Sequence, residues 1–457
     1  MEVMTTKLLG VNGKRTTKKR GKIVMKRLLL VGLLILLFVI AGQSFAASQT
    51  ITYLSPETDP SSIEVDNHII AAFEKAHPGV KVNLTHASLN DVLPKLSAML
   101  KAGTAPDLAF SSPKFVPPLV DQGYLAPMDD VFKKLGDISP KFVAANSKGK
   151  IFDVPAAVEA RMLYYRKDLF EAAGLKPPTN FDEWMKAAKA LTVDKNGDGK
   201  IDQYGISLTG APPECSYDIC IVLWANGGDL FDKNNKIVLD GTKAVQALEF
   251  LGKMKEFTPP GMATTTYKDV SLNFANGVAA MAIYPGRMMM NIDRYNPELR
   301  SKVGVVPIPY GPGGNGKPVV HESLNDFIVF KTSKNVKLAK EFVSFYMSGK
   351  QYLEFLTAST PGHSLPVRNS WLDDPDYFKF EAIAKWKDNV KASMDSAFKY
   401  GTDFLFRYPG VVNPYVGRAT ADPTFAREIN KYYIGEISAK QALTNVANAW
   451  REMFGIK

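Results

Sequence analysis

The sequence predicts an α/β fold in two lobes, each a mixed sheet flanked by helices. Three observations predict it. Strand and helix patterns alternate from residue 50 to 111. Roughly 410 residues follow the leader, more than one hydrophobic core usually organises. The stretch 153–184, D-V-P-A-A-V-E-A-R-M-L-Y-Y-R-K-D-L-F-E-A-A-G-L-K-P-P-T-N-F-D-E-W, joins a long, mostly apolar extended run to two helices.

Residues 1–46 carry nine Lys/Arg and one acid, Glu2, then the apolar run 28–41 and a small-x-small site, Ser44-Phe45-Ala46. That is the pattern of a secretory signal peptide, and the apolar run is short for a membrane span of about 20 residues. A retained N-terminal anchor is the alternative, and Met25 begins a leader of ordinary length. No Cys lies near the site, so a lipoprotein anchor is not indicated. The whole chain has 56 Lys/Arg against 46 Asp/Glu, net +10. Without the leader the balance is 47 against 45, which removes the main support for nucleic-acid binding.

In chain order, 50–55 is a strand and 56–60 a loop. Ile63, Ile69, Ile70 and Phe73 form one helical face, stopped by His77-Pro78-Gly79. A strand at 80–84, a helix at 91–101 ended by Gly103, and a strand at 106–110 follow, with Ser111-Ser112-Pro113 as the loop at its carboxyl end. Ligands of such open sheets sit at the carboxyl ends of the strands. Within 153–184, 156–165 is a mostly buried strand with Glu159 and Arg161 as its early charges. Next come a short helix ended by Gly174 and a helix 181–191 capped by Thr179 or Asn180. Residues 203–206 read as a strand, a helix starts near Thr242, 273–285 ends a helix and forms a strand, 321–330 is a strand, and 332–346 is a capped helix.

Three local patterns suggest chemistry. Residues 194–202, D-K-N-G-D-G-K-I-D, match an EF-hand loop at Asp194, Asn196, Asp198, Gly199, Ile201 and Asp202, but position 12 is Gly205 instead of the bidentate Glu. A structural calcium ion and a plain Asp/Gly-rich turn are both open, the turn being favoured; no other cofactor is expected. Cys215 and Cys220 are the only cysteines. Export permits a disulfide, which would need a loop between them, and buried thiols are the alternative. Gly311-x4-Gly316-Lys317 is one residue short of a Walker A loop, and Pro318 stands where the Mg²⁺-binding Ser/Thr belongs, so it reads as a flexible surface loop. There is no H-E-x-x-H, no G-x-S-x-G and no supported Cys–His pair, so an enzyme is not expected.

V-P-A-A-V-E-A, then L-Y-Y-R-K-D-L-F, A-G-L and P-P-T-N-F-D-E-W, resemble the first lobe crossing of the family 1 extracellular solute-binding proteins, the sugar receptors of ABC importers. F-E-K-A-H-P-G-V-K-V, G-T-A-P-D-L, Q-G-Y-L-A-P-M-D-D and A-N-G-G-D-L-F extend the resemblance over nearly the whole mature chain. It implies the type II periplasmic-binding-protein fold with three hinge crossings, near Val158, Val320 and Val367. The N-lobe would be 47–157 with 321–367, and the C-lobe 158–320 with 368–457. It further implies a periplasmic or extracellular monomer that binds a sugar, oligosaccharide or polyol between the lobes and delivers it to the transmembrane subunits of a permease. A receptor for an acidic or phosphorylated sugar, or a sensor without a transporter, is the alternative.

The resemblance also implies which residues form the site. Glu57 falls where the family has a hydroxyl-accepting acid after strand one, and Glu159 matches the acid of the V-E-A motif. Ser111 and Ser112 stand where the family's maltose receptor has an aromatic residue, and Lys114 where it has an acid. Tyr217 matches a sugar-contacting Tyr, and Trp224 either faces the cleft or packs a helix. Arg287 replaces a stacking Trp, with Tyr284 available to stack instead. His363 and Arg368 lie near the last crossing, and Tyr408 on a later loop.

Overall fold

The computed structural model describes residues 49–87, 89–142, 149–212, 215–405, 407–408, 411 and 413–456. The predicted leader lies outside the described residues. The chain divides into two units, 1–49 with 78–81 and 50–77 with 82–457. In the first, the Gln49 N–H donates to the Gly79 carbonyl (3.0 Å), and Gly79 takes the left-handed φ of +88°.

The strands of the second unit, apart from Gln49, Val80 and Lys81, which belong to the first, are β1 (Gln49–Ser55), β2 (Val80–His86), β3 (Leu108–Ser111), β4 (Asp153–Arg166), β5 (Met281–Tyr284), β6 (Val303–Val306), β7 (Val320–Val329) and β8 (Gly401–Thr402). The order is β2-β1-β3-β7-β4-β5, with β6 also on β4 and β8 also on β7. The sheet is mixed: β3 runs parallel to β1 and antiparallel to β7, and β4 is antiparallel to β7, β5 and β6. β4 changes partners along its length, pairing β7 from Asp153 to Arg161, then β5 and β6 from Met162 onward. At Val158 three segments lie side by side, because Val158 pairs with Leu324 of β7 and bridges Leu365. Pro155 has no N–H for the ladder, and the register slips by one residue between Pro155 and Ala157. The Ala156 carbonyl accepts from the Tyr352 hydroxyl instead (2.9 Å).

Two apolar clusters follow this division. One gathers Leu163, Trp184, Trp224, Leu248, Ile283 and Trp450; the other gathers Leu54, Val92, Leu96, Ala109, Val116 and Phe330. Each is a core in its own right, which is the two-lobed α/β fold the sequence predicts.

Local chemistry sets the element ends. Asn180 Oδ1 accepts the Glu183 N–H (2.9 Å) and opens the helix Phe181–Ala190, while the Glu183 carboxylate accepts the Thr179 N–H (2.8 Å). Gly174 (φ +64°) follows the helix Lys167–Ala172. Three expectations differ from the structure. Residues 203–206 make isolated bridges, Val193 to Gln203 and Tyr204 to Ala279, rather than a strand. A side chain at Gly205 would collide with the Ala188 carbonyl, so the segment lies too close to the neighbouring helix to pleat normally. The helix Val336–Tyr346 has no side-chain cap, because the Asn335 amide donates to the Thr50 carbonyl (2.9 Å). The Gly311 loop is anchored rather than free: Gly311 N–H donates to the Ala225 carbonyl (3.0 Å) and Gly313 N–H to Asn226 Oδ1 (2.8 Å).

Cys215 and Cys220 both lie on the helix Cys215–Ala225, and Cys220 is buried. The loop that a bridge between them needs is therefore helical. In the 194–202 turn, Asp194 accepts the N–H groups of Gly197 (2.7 Å) and Gly199 (2.8 Å), Asn196 that of Asp198 (3.0 Å), Asp198 that of Lys200 (2.8 Å), and Asp202 that of Lys195 (2.6 Å). The turn thus closes on its own backbone donors. Among the described residues no group of three or more His, Cys, Asp or Glu is arranged to hold a metal. Excess chelator is expected to leave the melting temperature unchanged; a drop that Asp198→Ala abolishes would establish calcium.

Candidate functional site

Side chains alternate across a strand, so Ala157, Glu159 and Arg161 of β4 share one face with their cross-strand partners Asn325, Ser323 and His321 of β7. This polar face is the centre of the site. Asn325 Nδ2 donates to Glu159 Oε1 (2.9 Å), and His363 Nε2 lies 3.2 Å from the same oxygen. Enclosure in the protein works against the Glu159 charge, but His363, Asn325 and Arg287 outweigh it and hold the carboxyl down at about 2. Both contacts fall on Oε1, which leaves Oε2 for an incoming donor.

Two arms reach over this face. After β5, Gly286 touches the 362–363 backbone so closely that a Cβ there would collide with the Gly362 carbonyl. That approach sets Arg287, whose Nη2 lies 3.2 Å from Glu57 Oε2 and whose Nη1 bonds Asp59 Oδ2. Burial pulls the Arg287 pKa down, and Glu57, Asp59 and Glu159 together raise it above its ordinary value. After β3, Lys114 Nζ donates to the Tyr217 hydroxyl (2.9 Å) and lies 5.2 Å from that ring. Between the arms the Arg161 guanidinium sits 5.3 Å from the Tyr217 ring and 4.8 Å from the Tyr267 ring, and pairs with Asp218 (2.8 Å).

The structure thus brings Glu57, Lys114, Glu159, Tyr217, Arg287 and His363 around one polar face. Ser111 and Ser112 are half-buried at the end of β3, beside Lys114. The other expected residues pack behind this face or away from it. Trp224 is buried behind His321 (ring centroids 5.6 Å) and donates to Asp229 (3.2 Å), so it packs the helix. Tyr284 is buried edge-on against Tyr267 (5.4 Å), because its strand is in the core, and is no open stacking platform. Arg368 spends its donors on Asp137 (2.5 Å) and the carbonyls of Met347 (2.8 Å) and Leu135 (3.1 Å), tying the last crossing. Tyr408 donates to Asp229 (3.2 Å) and lines a separate small pocket with Trp224, Phe404 and Arg407.

Sequence reasoning missed Asp59, Arg161, Asp218, Tyr267, His321 and Asn325 as members of the site. For His321 and Asn325 a signal existed: 320–329 reads V-H-E-S-L-N-D-F-I-V, and polar residues recur every second position in a strand with apolar ends.

Residues 59–352 match the family model described as the bacterial extracellular solute-binding protein, and the chain belongs to that family. A putative binding protein of Brucella abortus (strain 2308) is 32% identical over 326 residues, 69% of this chain and 75% of that protein. The melibiose/raffinose/stachyose-binding protein MelE of Bacillus subtilis (strain 168) is 24% identical over 383 residues, covering 80% of this chain and 88% of that protein. Among solved structures, maltose-bound T. maritima MalE3 superposes with a TM-score of 0.73 at 22% identity, over 88% of this chain and 99% of that one. The family is one of binding proteins, so the chain is a solute receptor and not an enzyme.

Proposed function

We propose that this is the substrate-binding protein of an ABC importer, which captures a carbohydrate between its two lobes and hands it to the permease. The observation that carries the reading is the polar face of β4 and β7. An ionised carboxylate fixed by His363 and Asn325 sits between two arms, Arg287 and Lys114, that belong to different parts of the sheet path. Such a constellation offers charge-assisted acceptors and donors to hydroxyl groups from two sides. The lobes are 47–157 with 321–367 and 158–320 with 368–457, in keeping with the change of partner along β4. The leader is cleaved on export, and the mature protein is a monomer. The relative MelE, named for binding melibiose, raffinose and stachyose, supports a saccharide as the solute. Closure follows from binding because only the closed form makes both sets of contacts.

The test is a thermal-shift screen of saccharides and polyols on the mature protein, followed by small-angle scattering with and without a hit. A hundredfold excess over Kd stabilises the fold by about 2.7 kcal/mol. A carbohydrate that raises the melting temperature and shrinks the radius of gyration is the expected outcome. Absence of any carbohydrate hit, together with turnover of a tested substrate, would sink the reading.

A further inference from the structure

The geometry points to a site that selects against anions at its Arg287 end and takes neutral or cationic saccharides, which present hydroxyl or ammonium donors to Glu57, Asp59 and Glu159. This rests on the reading above, that the β4–β7 face is where the saccharide sits. An arginine replacing an aromatic platform suggests a carboxylate or phosphate on the ligand, since a guanidinium fork suits both. In the folded chain that fork is occupied. Nη2 lies 3.2 Å from Glu57 Oε2 and Nη1 is hydrogen-bonded to Asp59 Oδ2. Glu159, held ionised by His363 and Asn325, acts on the same guanidinium as a third negative charge.

An anionic group brought here has two routes, and both are costly. It can displace Glu57 or Asp59, which strands a partly covered carboxylate that has lost its counter-ion. Or it can sit beside three carboxylates with one guanidinium among them, where like charges repel over a few ångströms at reduced dielectric. A hydroxyl avoids both costs, because it can donate to a carboxylate oxygen and accept from Arg287 at once. An ammonium does better still, adding a cation where negative charge is in excess. The other charges facing the site do not reverse this. Arg161 is neutralised by Asp218 at 2.8 Å, and Lys114, bonded to the Tyr217 hydroxyl, is one cation at the opposite end between the Phe115 and Tyr217 rings. Across the site four carboxylates, Glu57, Asp59, Glu159 and Asp218, face three permanent cations, Lys114, Arg161 and Arg287, with the His363 imidazole beside Glu159 as a further positive group when protonated.

The experiment titrates the mature protein calorimetrically with glucose, galactose, maltose, melibiose, raffinose and ribitol. Each that binds is then compared with a counterpart carrying one carboxylate or phosphate and with one carrying one amino group. At low salt the anionic counterpart is expected to bind at least tenfold more weakly than the neutral compound, and the amino counterpart as tightly or more tightly. Glu57→Gln combined with Asp59→Asn should narrow the neutral-to-anionic ratio, with thermal melts confirming that the variant folds. Raising the salt concentration on the wild type should narrow the same ratio without any substitution. An anionic counterpart that binds as tightly as the neutral one overturns the inference, as does a ratio that ignores both neutralisation and salt. If no saccharide binds in any charge state, the carbohydrate reading itself fails and this inference goes with it.

Discussion

Glu159→Gln is expected to weaken saccharide binding by about 10- to 100-fold, the 1.5–3 kcal/mol that separates a hydrogen bond to a charged group from none. The substitution keeps the shape and removes the charge that the site is built to hold. Asn325 and His363 both address Oε1. An amide can satisfy them with its oxygen, but its NH₂ then stands where the ligand hydroxyl meets Oε2, and a donor faces a donor. Titration calorimetry with a saccharide from the screen reads the loss, and an affinity within threefold of wild type would remove Glu159 from the binding site. The same carboxylate fixes a pH dependence. Its folded pKa is depressed from 4.5 to about 2. The stability it contributes is therefore present above the ordinary carboxyl range and is lost as the pH falls from about 4.5 through about 2. Between about pH 5 and pH 8 affinity should not change on account of Glu159, and in stronger acid the Gln variant should lose less stability than the wild type does.

Much of the fold was legible because its signals are local. The V-P-A-A-V-E-A-R run, the Gly174 stop and the Asn180 cap each act within a few residues, and each appears in the structure at the expected place. The errors came where a tertiary contact outbid a local preference. Asn335 is a good cap residue that instead bonds the Thr50 carbonyl, far away in sequence. Residues 203–206 have strand composition but lie where Gly205 must pass the Ala188 carbonyl. The site was legible as far as motifs carried it: Glu57, Glu159 and Tyr217 all come to the polar face. What no motif carries is which partner a charge finds. Arg287 reads as a ligand fork until Glu57 and Asp59, 230 and 228 residues away, are seen to hold it. Arg368 and Tyr408 read alike in sequence, and only packing sends one to Asp137 and the other to Asp229.

Asp326→Asn is expected to stabilise the protein at about pH 8 by roughly 1–3 kcal/mol, the cost of leaving a buried polar group unsatisfied. Asp153 and Asp326 lie diagonally across the β4–β7 ladder, and both side chains are fully buried. Among the described residues no hydrogen-bond donor of any other residue meets any of their four carboxyl oxygens. Two carboxyls so placed can satisfy each other only by sharing a proton. Burial pushes Asp153 up to about 6, and burial together with the Asp153 charge pushes Asp326 up further. Raised folded pKa values mean that the stability is fully present below the ordinary carboxyl range and is lost as the pH rises through about 6 and above. Asparagine has no such proton to lose, and its NH₂ can donate to Asp153 once that carboxyl ionises. The variant should therefore melt higher than wild type at about pH 8 and little differently at about pH 4. It should keep part of the wild-type slope, because burial also raises Asp66, bonded to Tyr346, and Glu322, bonded to Lys141, to about 7. Thermal melts of both proteins across this range decide the matter: a variant that is less stable than wild type at pH 8 would show that the pair is held by something other than its shared proton.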